Sequence, residues 1–521
     1  MKLALSQKAL AIAAAAALLA GCTGGPDYVR PTVEVPAAYK EGFTFQQACP
    51  RDHVGRGNWW AAFGDPQLDA LLAQVSVSNQ TLVAAEAQFR QSVALAAQAR
   101  AAFFPTVTFG LSQTESQPSG TTGPITGIAA NRRTIYSAPF NFSWEADLWG
   151  KVRRSVEQGE SAAMASAADV ENARLSLQAQ LAQSYFQLRA LDSQRRLLAS
   201  TVEAYATSLQ MTNNRYKQGV VARVDVAQAE TQLKSTQAQL LDLGVQRSQL
   251  EHSIAVLTGR PPASFSLPAA EHHSKPPVLP IELPADLLER RPDIAAAERR
   301  VAAANAQIGV AEAAYFPTAT LSATYGFQSA TAAAWFSAPS RFWSLAPALA
   351  LTLFDGGRRH AVSDQALAAY DASVANYRQT VLTGFQEVED NLAAIRILEE
   401  EAKVQAEAAA AAQQALDVSL NQYKAGITTY LQVVTAQATA LSAQRTSADL
   451  LARRMTATVQ LVKALGGGWE ASSLPGSQEM KDRAEAGKQA AHPSATKAEP
   501  AAGGGGGSSI LPGPSRSAVP K

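Results

Sequence analysis

The chain has 521 residues and a mass of 54.9 kDa, with 45 Lys+Arg against 44 Asp+Glu and a net charge of +1. That balance excludes a nucleic-acid binder working by bulk charge, because no basic excess exists to displace phosphate counterions. Two cysteines exclude a disulfide scaffold and a Cys-rich metal site, and 17% charged residues is low for a large soluble enzyme.

Residues 1–21 read as a secretory signal: Lys2 and Lys8 open it, and Ala9 to Ala20 is an apolar run too short to span a membrane. It ends Leu19-Ala20-Gly21-Cys22, which resembles the bacterial lipoprotein cleavage site. The resemblance implies cleavage before Cys22 and acylation of its thiol, and two or more acyl chains anchor a protein stably. Thr23 in place of Asp implies the outer membrane as destination. Loss of Lys2 and Lys8 leaves a net charge of −1. Residues 22–62 are expected to be extended, with Cys49 an inert free thiol.

The rest of the chain reads twice. Ala101-Ala102-Phe103-Phe104-Pro105-Thr106 recurs as Ala313-Ala314-Tyr315-Phe316-Pro317-Thr318, and Tyr216-Lys217-Gln218-Gly219-Val220 recurs as Tyr423-Lys424-Ala425-Gly426-Ile427. Leu148-Trp149-Gly150 with Arg153 matches Phe354-Asp355-Gly356 with Arg359. The repeats are expected at 63–260 and 284–470, joined by a Pro-rich linker at 261–283. His272 and His273 in that linker lack further metal ligands at suitable spacing.

Each repeat is predicted to run helix, strand, loop, strand, very long helix, turn, helix. Asp65-Pro66 is an N-cap and first-turn pair that opens a helix to about Ala102, and Pro292-Asp293 plays the same part in the second repeat. Strands are predicted at about 105–115, 134–146, 317–328 and 342–354, where apolar and small or polar residues alternate over about ten positions with aromatic ends. This is the pattern of a membrane β-strand; a soluble sandwich with one wet face is the other reading. Four strands are too few to close, and an open edge in lipid costs several kcal/mol per unpaired backbone group. The membrane reading therefore requires strands from several chains. Loops Ser116–Arg133 and Ser329–Arg341 would face outside.

No Pro interrupts 140–260 or 348–474. Leu177, Leu181, Ser184, Leu188, Leu191, Arg195, Leu198, Val202, Tyr205 and Leu209 step by four and three, as do Val226, Ala229, Leu233, Thr236, Leu240, Leu243, Arg247, Leu250, Ile254 and Leu257. These are narrow seams of coiled-coil type. Gly219 permits the reversal between them. From Lys151 to Tyr216 a helix spans roughly 100 Å, too long and too polar for lipid. By itself this feature reads better as a soluble coiled-coil spacer. Glu387, Glu389 and Asp390 are expected on a solvated helix face. No Gly-x-x-x-x-Gly-Lys, Gly-x-Ser-x-Gly or His-Glu-x-x-His motif is present, so neither an enzyme nor a cofactor is expected. From 471 to 521 the Gly-, Ser-, Pro- and Ala-rich tail is expected to be disordered.

From Cys22 to Trp469 the chain resembles the outer-membrane factors of bacterial tripartite efflux pumps, the TolC-type channels, in their lipoprotein (NodT-type) branch. The residues that carry this are Arg290-Arg291-Pro292-Asp293-Ile294 with Ala297-Glu298, Ala306-Gln307-Ile308-Gly309-Val310-Ala311, Gly25-Pro26-Asp27-Tyr28, Trp59-Trp60 with Phe63-Gly64-Asp65-Pro66, Asp147-Leu148-Trp149-Gly150 and Phe354-Asp355-Gly356-Gly357. The resemblance implies a mainly α fold with a transmembrane β part. A homotrimer would share a twelve-stranded β-barrel in outer-membrane lipid and a periplasmic α-barrel. It implies a passive exit duct for drugs or other toxic compounds. Its partners would be a periplasmic adaptor (membrane fusion) protein and a proton-driven inner-membrane transporter. It places Tyr216, Gly219, Tyr423 and Gly426 near the periplasmic tip, as gate contacts or as packing. Many relatives carry Asp residues where Gln432 and Thr435 stand here, which leaves Asp225 as the acidic candidate, whether pore ring or ordinary helix charge.

Overall fold

The computed structural model describes residues 24–41, 58–117, 132–270, 276–277 and 287–491. Cys22, Cys49, His272 and His273 lie outside them. The order is α1 (Pro66–Ser78), α2 (Gln80–Ala101), β1 (Thr106–Phe109), β2 (Ser112–Ser116), β3 (Arg133–Ala146), α3 (Lys151–Lys217) and α4 (Arg223–Leu257). The second repeat follows with α5 (Pro292–Ala313), β4 (Thr318–Ser329), β5 (Arg341–Ala350), α6 (Arg358–Lys424) and α7 (Tyr430–Ala464), then α8 (Ser477–Ala491). The two repeats match in length: α3 and α6 have 67 residues each, α4 and α7 have 35, and α2 and α5 have 22.

The helix expected from Asp65 to Ala102 is broken. Asp65 does cap α1, accepting from the backbone N–H of Gln67 and Leu68. At Asn79, however, the side chain accepts from Thr81 and Leu82 N–H, starting a new helix, and donates to the Leu257 carbonyl at 2.8 Å. A side chain that caps better than it propagates, held by a long-range acceptor, ends α1. The second repeat ties the same junction differently: Arg291 precedes Pro292 and reaches the Ala464 carbonyl at 3.1 Å, Asp293 and Glu387.

Both predicted helix seams are packed, every one of the twenty positions being buried or half-buried. Trp59, Trp60, Phe63, Leu68, Leu72, Leu181, Tyr185, Phe186, Leu188, Ile254, Met455 and Val459 form the largest core, where α1, the upper part of α3 and the ends of α4 and α7 meet. Residues 24–41 lie across both repeats. Gly25, at φ 86°, would place a Cβ 2.4 Å from the Cα of Gly309. Arg154 donates to the carbonyls of Gly24 and Gly25 and pairs with Asp27, and Tyr28 donates to Glu298. The Gly-Pro-Asp-Tyr and Gln-Ile-Gly motifs are thus the two sides of one contact.

Two further expectations are corrected. Glu387 is paired with Arg291 and ties α6 to the start of α5, and Glu389 accepts from the backbone N–H of Lys40 and Glu41 at 2.7 and 3.0 Å and fastens the N-terminal segment, while Asp390 is exposed as expected. The tail does not begin at 471. Residues 471–473 form a short turn, and α8 packs on α2 with Met480 buried among Leu82, Phe89 and Val93. The isolated apolar residues Leu474 and Met480 supply enough burial to order a segment whose composition is otherwise that of a disordered one.

Candidate functional site

The sheet runs β1/β2–β3–β4–β5, all antiparallel. β1 and β2 are one strand in register: Phe109 faces Phe140 and Ser112 faces Ser137. The interruption falls where the Gly110 N–H donates to the Pro139 carbonyl at 3.1 Å, since the proline has no N–H to return. The last strand ends at Ala350, short of the expected 354. Gly326 lies opposite Pro139, and a Cβ there would meet the Ala138 oxygen at 2.4 Å and the Pro139 Cα at 2.7 Å. Gly326→Val is expected to destabilise the protein by about 1–3 kcal/mol through overpacking. Gly110→Ala, which meets open space, serves as its comparison in urea-unfolding midpoints.

The register sorts the side chains into two faces. Phe109, Phe140, Tyr325 and Trp343 form one row across all four strands, and Val107, Phe142, Ala323 and Leu345 form the next. Trp144, Leu321 and Pro347, then Ala146, Ala319 and Leu349, continue the same face. The opposite face carries Thr108, Asn141, Thr324 and Ser344, then Thr106, Ser143, Ser322 and Ala346. There the Thr324 hydroxyl donates to the Asn141 side-chain oxygen at 3.1 Å. In the chain alone the apolar face is bare: Trp343 is 75% exposed and Leu345 60%. From Ala319 to Phe327 the apolar rows climb about 27 Å along β4, or about 20 Å of height at a barrel strand's tilt, close to the apolar band of a membrane barrel. No described helix is long and apolar enough to cross a membrane.

At the base of the sheet each long helix starts from the same device. Asp147 accepts from the N–H of Val152 and Arg153, and Gly150 holds φ 81° at the N-cap. Asp355 accepts from Gly357 and Arg359, with Gly357 at φ 90°. The structure therefore matches Gly150 with Gly357 and Asp147 with Asp355, correcting the sequence alignment by one or two positions. Trp149 stacks on Phe316 at 5.0 Å and donates to the Pro317 carbonyl, joining the two crossovers.

The far ends of α3 and α6 lie about 100 Å away along 67 residues. The two turns are copies. Gly219 at φ 74° and Gly426 at φ 77° each follow a helix C-terminus, with Val220 N–H on the Arg215 carbonyl and Ile427 N–H on the Gln422 carbonyl, both at 2.9 Å. This is the left-handed helix ending that glycine permits without a Cβ penalty. The tyrosines are not equivalent. Tyr423 is 2% exposed and Tyr216 39%. Tyr423 packs edge-on against Tyr430 at 5.2 Å, with Ala229 and Val433 completing the cluster. Tyr423 donates towards the Thr212 hydroxyl, and Tyr430 to the Ser208 hydroxyl at 3.3 Å. Burial pushes the Tyr430 hydroxyl above its usual pKa and keeps it neutral. Arg215 donates to the Tyr423 carbonyl at 2.6 Å and lies over its ring. Asp225 and Gln432 occupy the same place in the first turns of α4 and α7, and Thr435 is exposed with its hydroxyl on the Leu431 carbonyl.

Sequence reading missed Tyr430, Arg215, Ser208 and Thr212. The signal was the spacing of Tyr423 and Tyr430 across the turn, which sets two rings face to edge once the helices reverse. Arg215→Ala removes a charged hydrogen bond worth about 1.5–3 kcal/mol. The amides of 423–427 are expected to exchange with solvent about tenfold faster or more, whereas Tyr216→Ala leaves that rate unchanged.

The two repeats correspond to two matches of one family model, Outer membrane efflux protein, at residues 71–260 and 283–467. The chain is 32% identical over 470 residues to the pyoverdine export outer membrane protein OpmQ of Pseudomonas aeruginosa, covering 89% of this chain and 98% of that one. It is 31% identical over 471 residues to the toluene efflux pump outer membrane protein TtgC of Pseudomonas putida, covering 89% and 96%. Among solved structures, the outer-membrane channel OprN superposes with a TM-score of 0.79 at 31% identity, covering 86% of this chain and all of that one.

Proposed function

This chain belongs to the outer membrane efflux protein family, and from that premise we propose that three copies close one barrel and one helical tunnel, forming the exit duct of a tripartite pump. The observation that carries the reading is the two-faced sheet with two open edges. β1/β2 and β5 run in opposite directions, so the edge of one copy pairs antiparallel with the edge of the next. Two copies would give eight strands, an interior that side chains fill; three give twelve and leave a water-filled passage lined by Thr108, Asn141, Thr324 and Ser344. The helices support the same assembly. Ile397, Val404 and Val418 lie on one exposed stripe of α6, at multiples of seven residues, and Leu241 and Val245 are bare on α4. Heptad stripes of this kind are covered by a neighbouring helix.

The tips are the constriction and the docking end for a periplasmic adaptor, which joins the duct to a proton-driven inner-membrane transporter. Tyr423 and Tyr430 tie the second hairpin to the first, and Gly219 and Gly426 shape the turns. Asp225 supplies acidity to the ring, while Gln432 and Thr435 are neutral. With exposed Val224 and Leu431 beside them, that lining suits small organic cargo, as the pyoverdine and toluene relatives' names describe for those proteins. Gly24 N–H bonds to the Trp149 carbonyl at 3.0 Å, at the junction of sheet and helices. Lipid on Cys22, two residues before, would therefore enter the membrane beside the barrel, within the reach of about 3.5 Å per residue.

Purified protein added to a planar lipid bilayer is expected to give discrete, ohmic conductance steps. Their absence at high purity, with a monomer in gentle detergent, would leave an anchored coiled-coil spacer as the reading.

A further inference from the structure

We propose that the connection between β4 and β5, residues 330–340, is a lipid-docking surface that lies on the outer leaflet instead of folding over the pore mouth. This rests on the barrel reading above. The segment carries two short turns, and the Ser337 and Ser340 hydroxyls both donate to the Ala334 carbonyl at 2.7 Å, which gives it a defined shape. Between the turns stand Trp335 and Phe336, stacked at 5.0 Å. Trp335 packs on Tyr136 at 5.3 Å, and Phe336 on Phe327 at 5.6 Å.

The register decides which side this is. Tyr136 and Phe327 share parity with Phe140 and Tyr325, so both belong to the apolar face and not to the Thr/Asn/Ser face. The two loop aromatics therefore continue the lipid side of the sheet. Their height follows from charge. Phe327 is paired with Arg341 and Ala138, and the next row outward is Gln113, Tyr136 and Ser329. A guanidinium and an amide on the lipid face mark where hydrocarbon ends, because a charge there costs least at the interface. Trp335 and Phe336 thus sit at the boundary between hydrocarbon and headgroups, where tryptophan is enriched and where bare aromatic area is buried against lipid. Phe336 is 63% exposed in the chain, as expected of a side chain whose partner is lipid. The occupant is the outer-leaflet lipid surface, continuous with the membrane face of the barrel.

The test uses the full chain reconstituted into phosphatidylcholine vesicles whose acyl chains carry bromines near the carbonyl end. Tryptophan emission is compared between the wild type, Trp335→Phe and Trp343→Phe, with conductance confirming that each variant forms pores. Trp343 lies on the same face one row deeper than Arg341 and reports on the barrel itself. The expected result is that wild type loses more emission to brominated lipid than either variant does, and that aqueous iodide quenches neither Trp335 nor Trp343. If Trp343 answers to bromine while Trp335 answers only to iodide, the docking surface is overturned and the barrel stands. If neither answers to bromine, the barrel reading has failed with it.

Discussion

Leu345→Arg is expected to abolish the assembled channel, while Ser344→Arg, one residue away, leaves it assembled and changes only its ion selectivity. Leu345 lies in the row Val107, Phe142, Ala323 on the apolar face, and Ser344 in the row Thr108, Asn141, Thr324 on the polar one. An arginine on the lipid side of a barrel near mid-membrane costs about 2–4 kcal/mol, and every copy in the assembly incurs it. On the polar side the guanidinium meets water, so the ring it forms shifts selectivity towards anions without a folding penalty. Native gel mobility of the solubilised protein reads assembly, and reversal potentials in a salt gradient read selectivity. Equal tolerance of both substitutions would show that β5 has no lipid face.

The second large effect is expected at Asp192. This carboxylate is buried in α3 between two guanidiniums, Arg189 at 2.9 Å and Arg247 at 2.7 Å. The same group of side chains grips the chain as it leaves the first repeat. Arg247 donates to the Leu267 carbonyl, Arg189 to that of Pro268, Glu251 accepts from Leu267 N–H and Asp192 from Ala270 N–H. Asp192→Ala takes from Arg189 the buried carboxylate at 2.9 Å and leaves Arg247 with Glu251 alone of its two, a loss of about 3–5 kcal/mol. It should appear as a lower urea midpoint and as faster protease cleavage within 261–283. Adding Arg189→Met to Asp192→Ala is expected to recover part of the loss, because one uncompensated charge goes with it. A double variant as unstable as the single one would mean that the carboxylate acts through shape and not through charge.

The extent to which the primary sequence declared this architecture depends on the range of the interaction involved. The seams on α3 and α4 are written at spacings of three and four, and the strands alternate at two, so burial follows from periods that the covalent chain already carries. The duplication is legible because both repeats solve the same local problems with the same residues: glycine at the turns of 219 and 426, and Asp with Gly at the crossovers of 147–150 and 355–357. Where the sequence reading failed, the deciding partner was distant along the chain. Asn79 ends α1 because the Leu257 carbonyl is there to take its amide. Glu389 is held by Lys40 and Glu41, and Met480 orders the start of the tail because α2 offers it a groove.

The tip shows the division most clearly. The sequence alone determined that two hairpins end in matching glycine turns, since a left-handed residue after a helix is a local demand. Only the tertiary structure decided that Tyr423 is buried and its counterpart Tyr216 is not. That asymmetry exists because Tyr430, Arg215 and Thr212 converge from both repeats on one ring, with Ser208 holding Tyr430, and not on the other. Likewise, alternation fixed which strand residues share a face, but pairing across β1 to β5 was needed to show that the aromatic residues line up in one row and the hydroxyls in another. A period is a property of one segment; a surface is a property of several segments held in register, and that register is set by backbone hydrogen bonds no single segment contains.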